Sequence, residues 1–342
     1  MTVVYLTIDT EYAFRLPGGT GPGTRAENFA RSIACDTPKG SVGIFHQMDL
    51  LEANGLKGIF FVDPMPALLW GVEAIADIVA PIVSRGHDVQ LHCHTEWLEY
   101  DRDGRLAGGR TGRNLADFAL EDQYRILGWA RDTLVAAGAP APVAFRAGNY
   151  GANDDTLLAL ARLGIGYDSS YSPALAGSGD CAIALGADTL SPVLHGGVVE
   201  VPVACIQSFG GRLRHGQVTA LSLREMRAVI RHACAEGRAG VTLVSHSFEL
   251  LSRDRRRINR LVARRFHDIC RELGALEGVS SGTYADDPPG VAAQASRWSP
   301  LPHAPLRGAA RIAEQVLSNT LYSRGLGTGA RSAALMASLF VA

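Results

Sequence analysis

The sequence predicts an α/β fold with a mostly parallel sheet, closed as a barrel rather than left open as a doubly wound sheet. Two observations carry this reading. Short apolar, β-branched runs alternate with longer helical patterns from residue 3 to about residue 281, an order that yields parallel strands. The alternation repeats over seven or eight strand–helix units, a number that suits a barrel. A length of 342 residues and 47% hydrophobic content supply the core such a fold needs, and they exclude a disordered or fibrous chain.

The elements follow in order. Residues 3–8 read as the first strand, residues 42–53 as a helix stopped by Asn54-Gly55, and residues 58–62 (GIFFV) as a second, buried strand. A helix follows within 69–84. Residues 88–92 form a third strand after the Arg85-Gly86 turn, residues 115–137 a long helix ending at Gly138, and residues 143–146 a fourth strand. Helix 153–164 is well marked, with Asn153 as N-cap, Asp154 and Asp155 in the first turn and Gly164 at the end. Strands at 165–169 and 198–203, helix 222–236, strand 241–245, helix 253–273 and a short strand near 276–281 complete the series.

Two connections are long: residues 12–40, rich in Gly and Thr, and residues 170–197, rich in Gly, Ala and Ser. Connections of this length in a compact domain often form lids or substrate walls. After Tyr284 the composition changes, with five prolines in 286–306. The main domain is therefore placed at 1–285, and 286–342 is read as a Pro-rich linker and a helical tail with one amphipathic helix near 308–319.

Charge narrows the function. A formal net charge of −1 argues against general nucleic-acid binding, which needs a basic footprint. Only two of the 33 basic residues are lysines, Lys39 and Lys57, a bias that composition alone explains. The six cysteines are scattered without a CxxC pair, as in a reduced, cytosolic protein. The N-terminus carries no positive region followed by an apolar stretch, so no secretory signal is expected and the expected compartment is the cytoplasm. Residues 66–83 are interrupted by Glu73 and Asp77, and the apolar end 333–342 is too short to span a bilayer; no membrane span is expected, and a weak peripheral contact stays open. The oligomeric state is not read from the sequence.

In parallel strand–helix folds the C-terminal strand ends carry the chemistry. Five such ends hold ionisable groups: Asp9 and Glu11, then His92, His94 and Glu96, then Arg146, Asp168 and His246. Side chains two apart on a strand share a face, so Asp9 and Glu11 point one way, as do His92, His94 and Glu96. Mixed imidazole and carboxylate donors suit Zn2+ or another borderline divalent metal such as Co2+, Mn2+ or Ni2+. The remaining histidines, 46, 87, 195, 215, 232, 267 and 303, read as hydrogen-bonded structural residues.

These motifs resemble those of the NodB-homology polysaccharide deacetylases, carbohydrate esterase family 4, from about Val3 to Tyr284. LTIDTE resembles the first motif, GHDVQLHCHTEW the second, FRAGNYG the third, YDSS the fourth and TLVSH the fifth, in the family's order. The resemblance implies a distorted (β/α)7 barrel and a metal-dependent hydrolase that removes an acetyl or formyl group from an amino sugar or sugar conjugate, within glycan or secondary-metabolite biosynthesis. It implies Asp9 as base, Arg146 holding it, His246 as acid, Asp168 as the residue of the fourth motif, and Asn149, Tyr150 and Trp97 near substrate, with a backbone N–H near Tyr150 facing the oxyanion.

The sequence departs from the family pattern in two places. Thr10 stands where a second Asp is usual, which leaves Glu11 as the acidic ligand. The usual second histidine position, four after His92, holds Glu96; the second ligand is His94 or Glu96, with His94 favoured. Two rivals stay open: a non-catalytic glycan-binding barrel with a degenerate metal site, and a hydrolase of cyclic amides or ureides. An amidohydrolase barrel fits poorly, because the H-x-H pair falls on the third strand. The run Arg253 to Arg257, with Arg260, Arg264 and Arg265, is expected on the helix at 253–273. It reads either as a solvated outer face or as a docking surface for phosphate or an anionic lipid head group.

Overall fold

The computed structural model describes residues 1–291 and 298–322. The expectations for 333–342 and for part of the Pro-rich linker lie outside the described residues. Nine strands form one curled sheet: β1 (Thr2–Thr10), β2 (Ile59–Val62), β3 (Asp88–Cys93), β4 (Ala144–Ala147), β5 (Tyr167–Asp168), β6 (Val193–His195), β7 (Val198–Glu200), β8 (Gly240–His246) and β9 (Val279–Ser281). Their order is β8-β1-β2-β3-β4-β5-β7-β6, with β9 added along the start of β1. The β6–β7 pair is antiparallel and the other pairings are parallel. Between β7 and β8 the circuit is bridged at single points, Val203 to Thr242 and Gln217 to Val244. Pro202 lies in that seam and has no N–H to give to a ladder. The result is the distorted barrel the motifs imply.

Helices α1 (Ile44–Glu52), α2 (Val72–Ser84), α3 (Leu120–Ala136), α4 (Asp154–Arg162), α5 (Leu223–Ala235), α6 (Arg260–Ala275) and α7 (Pro305–Tyr322) accompany the sheet. The local causes are plain. All four side chains of β2 are fully buried, each contributing about 1.5–3 kcal/mol of apolar burial. Asn153 caps α4 by accepting from the Thr156 N–H at 3.1 Å, and Thr156 reciprocates. Ser222 and Glu225 close the same kind of box on α5. The last helix packs on the barrel through Arg265–Glu314 at 2.8 Å and Asn259–Ser318 at 2.9 Å. Among the described residues no helix is long and apolar enough to cross a membrane.

The structure corrects several expectations. The helix expected from residue 253 starts at Arg260, capped by Asn259. Residues 252–258 instead make a tight turn: Ser252 and Asp254 hydrogen-bond each other and the backbone of Arg256 and Arg257, and Arg255 takes a left-handed conformation with φ of 53°. The arginines therefore do not share one helix face. Arg253, Arg256 and Arg257 are exposed in the turn, while Arg265 is buried and donates to the Val218 carbonyl. The strand expected at 165–169 shortens to two residues and that at 198–203 to three. Two small antiparallel pairs were not foreseen: Asp36–Thr37 with Gly40–Ser41, and Cys205–Gln207 with Leu213–His215.

Candidate active site

The C-terminal ends of β1, β2, β3, β4 and β8 meet at one mouth of the barrel. Register sets the principal neighbours: Asp9 lies opposite His246, and His92 opposite Arg146. Thr10, between Asp9 and Glu11, faces the other way. It is fully buried, and its hydroxyl donates to the Ile8 carbonyl. Alternation along the strand thus removes position 10 from the site and brings position 11 into it.

Glu11, His92 and His94 form one cluster whose ligand atoms all lie within 4.8 Å of one another. The Nε2 atoms of both histidines face the same Glu11 oxygen; His92 does so at 3.2 Å and His94 in closer contact. The opposite ring nitrogens are tied elsewhere. His92 Nδ1 donates to the Arg146 carbonyl at 2.7 Å, and His94 Nδ1 donates to Glu96 at 3.3 Å. A carbonyl can only accept, so His92 Nδ1 carries a hydrogen, and in the neutral ring the lone pair lies on Nε2. Glu96 therefore stands behind His94, and among the described residues the cluster takes His94 rather than Glu96. Burial would raise the Glu11 carboxyl, but the His94 and His92 imidazoles hold it well below the usual carboxylate range. Burial opposes a proton on His94, and Glu11 and Glu96 outweigh it. Two imidazoles and one carboxylate converging on a point, with an outer carboxylate orienting one imidazole, are a donor set that fits a divalent cation.

Gly148 makes room for this cluster. A Cβ there would lie 2.6 Å from His94 Nδ1. The next two residues, Asn149 and Tyr150, both have left-handed backbones (φ of 57° and 58°), a strain of about 1–3 kcal/mol each. Asn149 donates to Glu96 at 3.2 Å. The Tyr150 hydroxyl is buried without a hydrogen-bond partner, and the charges of Arg146, Asp9 and Glu249 act on it.

Beside the cluster, Arg146 is fully buried and every guanidinium nitrogen is used. Nη1 donates to Asp9 Oδ1 at 2.6 Å and to Thr7 at 2.8 Å; Nε and Nη2 donate to Ser169. Its flat face lies 4.4 Å from the centre of the Phe61 ring. The second Asp9 oxygen is 3.8 Å from His246 Nε2. His246 Nδ1 faces Glu249 at 3.4 Å, and Glu249 also accepts from the His246 backbone N–H. Burial would push the His246 imidazole down, but Glu249, with Asp9 and Glu11, pushes it up to about 9. Gln217 donates to Glu249 at 2.8 Å and pairs with His215 at 2.7 Å.

Two expected residues stand elsewhere. Asp168 is not brought to His246 or Asp9. It hydrogen-bonds Ser170 and pairs in register with Glu200, whose carboxyl burial and the Asp168 charge push well above its ordinary value. Trp97 is buried at 1% exposure against Phe14, Trp70 and Tyr100, because the short helical turn Thr95–Tyr100 rotates it into the core. It presents no face to a substrate.

Sequence reasoning missed three residues of the site. Asp63, just past β2, is buried beside the histidines with one unpartnered oxygen, and burial pushes its carboxyl up to about 7. The strand-end rule, applied to β2 as to its neighbours, would have found it. Glu249 follows His246 by three residues in a turn and had no motif to mark it. His215, read as a structural histidine, reaches the site through the unforeseen antiparallel pair, and its ring is 6.2 Å from that of Tyr150.

No family model matches the chain, and no curated protein matches it. Solved structures do. A protein assigned as a polysaccharide deacetylase, from Mycobacterium smegmatis, superposes with a TM-score of 0.52 at 18% identity, covering 82% of this chain and 86% of that one. A family 4 carbohydrate esterase from Streptomyces lividans gives 0.40 at 12% identity over 82% and 92% of the two chains. A mutant of a pseudoenzyme of the same family gives 0.42 at 10% over 84% and 68%. Of these three, the first alone exceeds 0.5 and carries the comparison. The chain has the fold of the polysaccharide deacetylases that its motifs resemble.

Proposed function

We propose that the chain is a metal-dependent hydrolase that removes an N-acyl group, acetyl or formyl, from an amino sugar or sugar conjugate. The observation that supports this best is the juxtaposition of a Glu11–His92–His94 cluster with an Asp9–His246 pair whose members are held by different partners. Glu11, His92 and His94 would hold a divalent cation such as Zn2+, which would supply Lewis-acid chemistry at the scissile amide.

The residues divide the proton work. Arg146 occupies one oxygen of Asp9 and fixes its plane, leaving the other free to accept a proton from the attacking water. Glu249 holds the His246 ring and favours its charged form, so His246 arrives protonated and gives its proton to the departing amine. Base and acid stand 3.8 Å apart, kept distinct by Arg146 on one side and Glu249 on the other. Asn149 and the unpartnered Tyr150 hydroxyl are placed to meet polar groups of the sugar.

The test is acetate or formate release from N-acetyl and N-formyl amino sugars, free and nucleotide-linked, by Zn2+-loaded protein. Release that is lost in Asp9→Asn and in His92→Ala, with both variants folded, supports the reading. A protein that binds no divalent metal and releases neither acid would be the inert barrel instead.

A further inference from the structure

The turn after β8 places one guanidinium where the rest of the Arg-rich stretch does not reach. Arg255 is half-buried, and its flat face lies 3.6 Å from the centre of the Phe248 ring. Phe248 in turn stands 5.4 Å from the His246 ring. Arg255 Nη1 donates to Ser32 Oγ at 2.6 Å, and Ser32 belongs to the wall that carries Arg31. That wall is tied down. The buried Asn28 side chain joins Ala13 and Pro22, and the Ser247 hydroxyl donates to the Ser32 carbonyl. Arg31 donates to the Asp254 carbonyl at 3.2 Å and so clamps the turn that presents Arg255.

Two features do not suit a purely structural arginine. The left-handed backbone of Arg255 is strained, and non-glycine residues hold that conformation where the surroundings enforce it, often at functional sites. Its charge also has no carboxylate within ion-pair distance among the described residues, although Arg146, Arg238 and Arg265 each have one. Burial lowers its pKa to about 10, the cost of withdrawing a cation from water without a partner, and the Glu11 charge is within electrostatic reach. The neighbouring Arg31 pairs through its Nη atoms with Glu27 and the Pro17 carbonyl, and its buried Nε has no hydrogen-bond partner among the described residues.

We propose that Arg255, backed by Arg31, forms an anion-reading wall of the substrate site, so that the N-acylated substrate carries a carboxylate or phosphate group. The planar fork of Arg255 suits either group, and its ring-stacked face holds the fork steady. This inference rests on the deacylase reading above and narrows its substrate class.

The experiment compares kcat/KM for three probes, N-acetylglucosamine, its 1-phosphate and its C6-carboxylate analogue, in wild type, Arg255→Gln, Arg255→Lys and Arg256→Gln. The readout is the ratio of each anionic probe to the neutral one within a variant, which cancels losses from altered folding. The expected wild-type ratio is well above one for at least one anion. It falls at least about tenfold in Arg255→Gln, mainly through KM, and falls less in Arg255→Lys. Whichever anion shows the effect identifies the group. The exposed Arg256 is the charge-matched control, and its variant keeps the wild-type ratio. A wild-type ratio at or below one, a ratio unmoved in Arg255→Gln, or an equal fall in Arg256→Gln overturns the proposal. If no probe is turned over, the deacylase reading fails separately. Calorimetric binding of the 1-phosphate and the carboxylate analogue then decides: binding weakened at least tenfold in Arg255→Gln supports the anion wall, and binding unchanged or absent in wild type removes it.

Discussion

The site contains two histidine–carboxylate groupings built from the same parts and assembled differently. At the end of β3, the Nδ1 atoms of His92 and His94 are committed to acceptors behind them, so both Nε2 atoms converge on Glu11. At the end of β8, His246 has Glu249 and Gln217 at Nδ1 and only Asp9, at 3.8 Å, near Nε2. The first gathers three donor atoms about one point and suits a cation; the second sets a single imidazole beside a single carboxylate oxygen and suits proton transfer. Residue type and strand-end position are alike in both, and a carboxylate stands behind both His94 and His246; what separates the two is how many donor atoms converge at Nε2.

Breaking either grouping tests this contrast. The largest expected effects are on turnover. Asp9→Asn and His246→Asn each lower kcat by about 10²–10⁴-fold, measured by acid release, without loss of bound metal. Next, Glu96→Gln weakens Zn2+ affinity about 10–100-fold by competition titration, because the orienting carboxylate behind His94 is neutralised. Gly148→Ala acts in the same direction by pushing the His94 ring. Glu249→Gln tests the other grouping through pH. His246 has a raised pKa, so its charged form persists up to about 9 and is lost as pH rises through that value. Removing the Glu249 charge brings the alkaline limb of the rate profile down, so that activity at pH 8 falls about tenfold while the loss at pH 6 is smaller. An unmoved limb would sink the assignment of His246 as the acid. The smallest effect is that of Tyr150→Phe. It removes a buried hydroxyl without a partner, so thermal stability holds or rises slightly while KM increases about two- to fivefold if the hydroxyl meets the sugar.

Much of this was legible before the fold was known. The apolar runs that became β1, β2 and β8 were readable because buried parallel strands leave a continuous trace in the sequence. Asp9, Glu11, His92, His94, Arg146 and His246 were readable because strand ends are where such folds gather polar groups. What could not be read depends on contacts between distant segments. Glu249 gains its meaning from the ring it supports, and His215 from a hairpin too short to show periodicity. Arg255 was assigned to the helix expected over 253–273. The Ser252–Asp254 hydrogen bonds, which favour a turn, prevailed there. Trp97 was misplaced for a related reason: adjacency to a ligand in sequence says nothing about which way a tight turn aims the next side chain.

The register of the sheet has a further consequence. Asp9 and His246 are facing residues of β1 and β8, and His92 and Arg146 are facing residues of β3 and β4. The separation of Asp9 and His246 is therefore inherited from the spacing of adjacent strands, about 4.8 Å, rather than from any loop. The sheet acts as a jig that holds the reacting groups to gauge, and the 12–40 and 252–258 segments are the exchangeable fittings. Changes in those segments can reshape the mouth of the barrel without resetting the separation of Asp9 and His246.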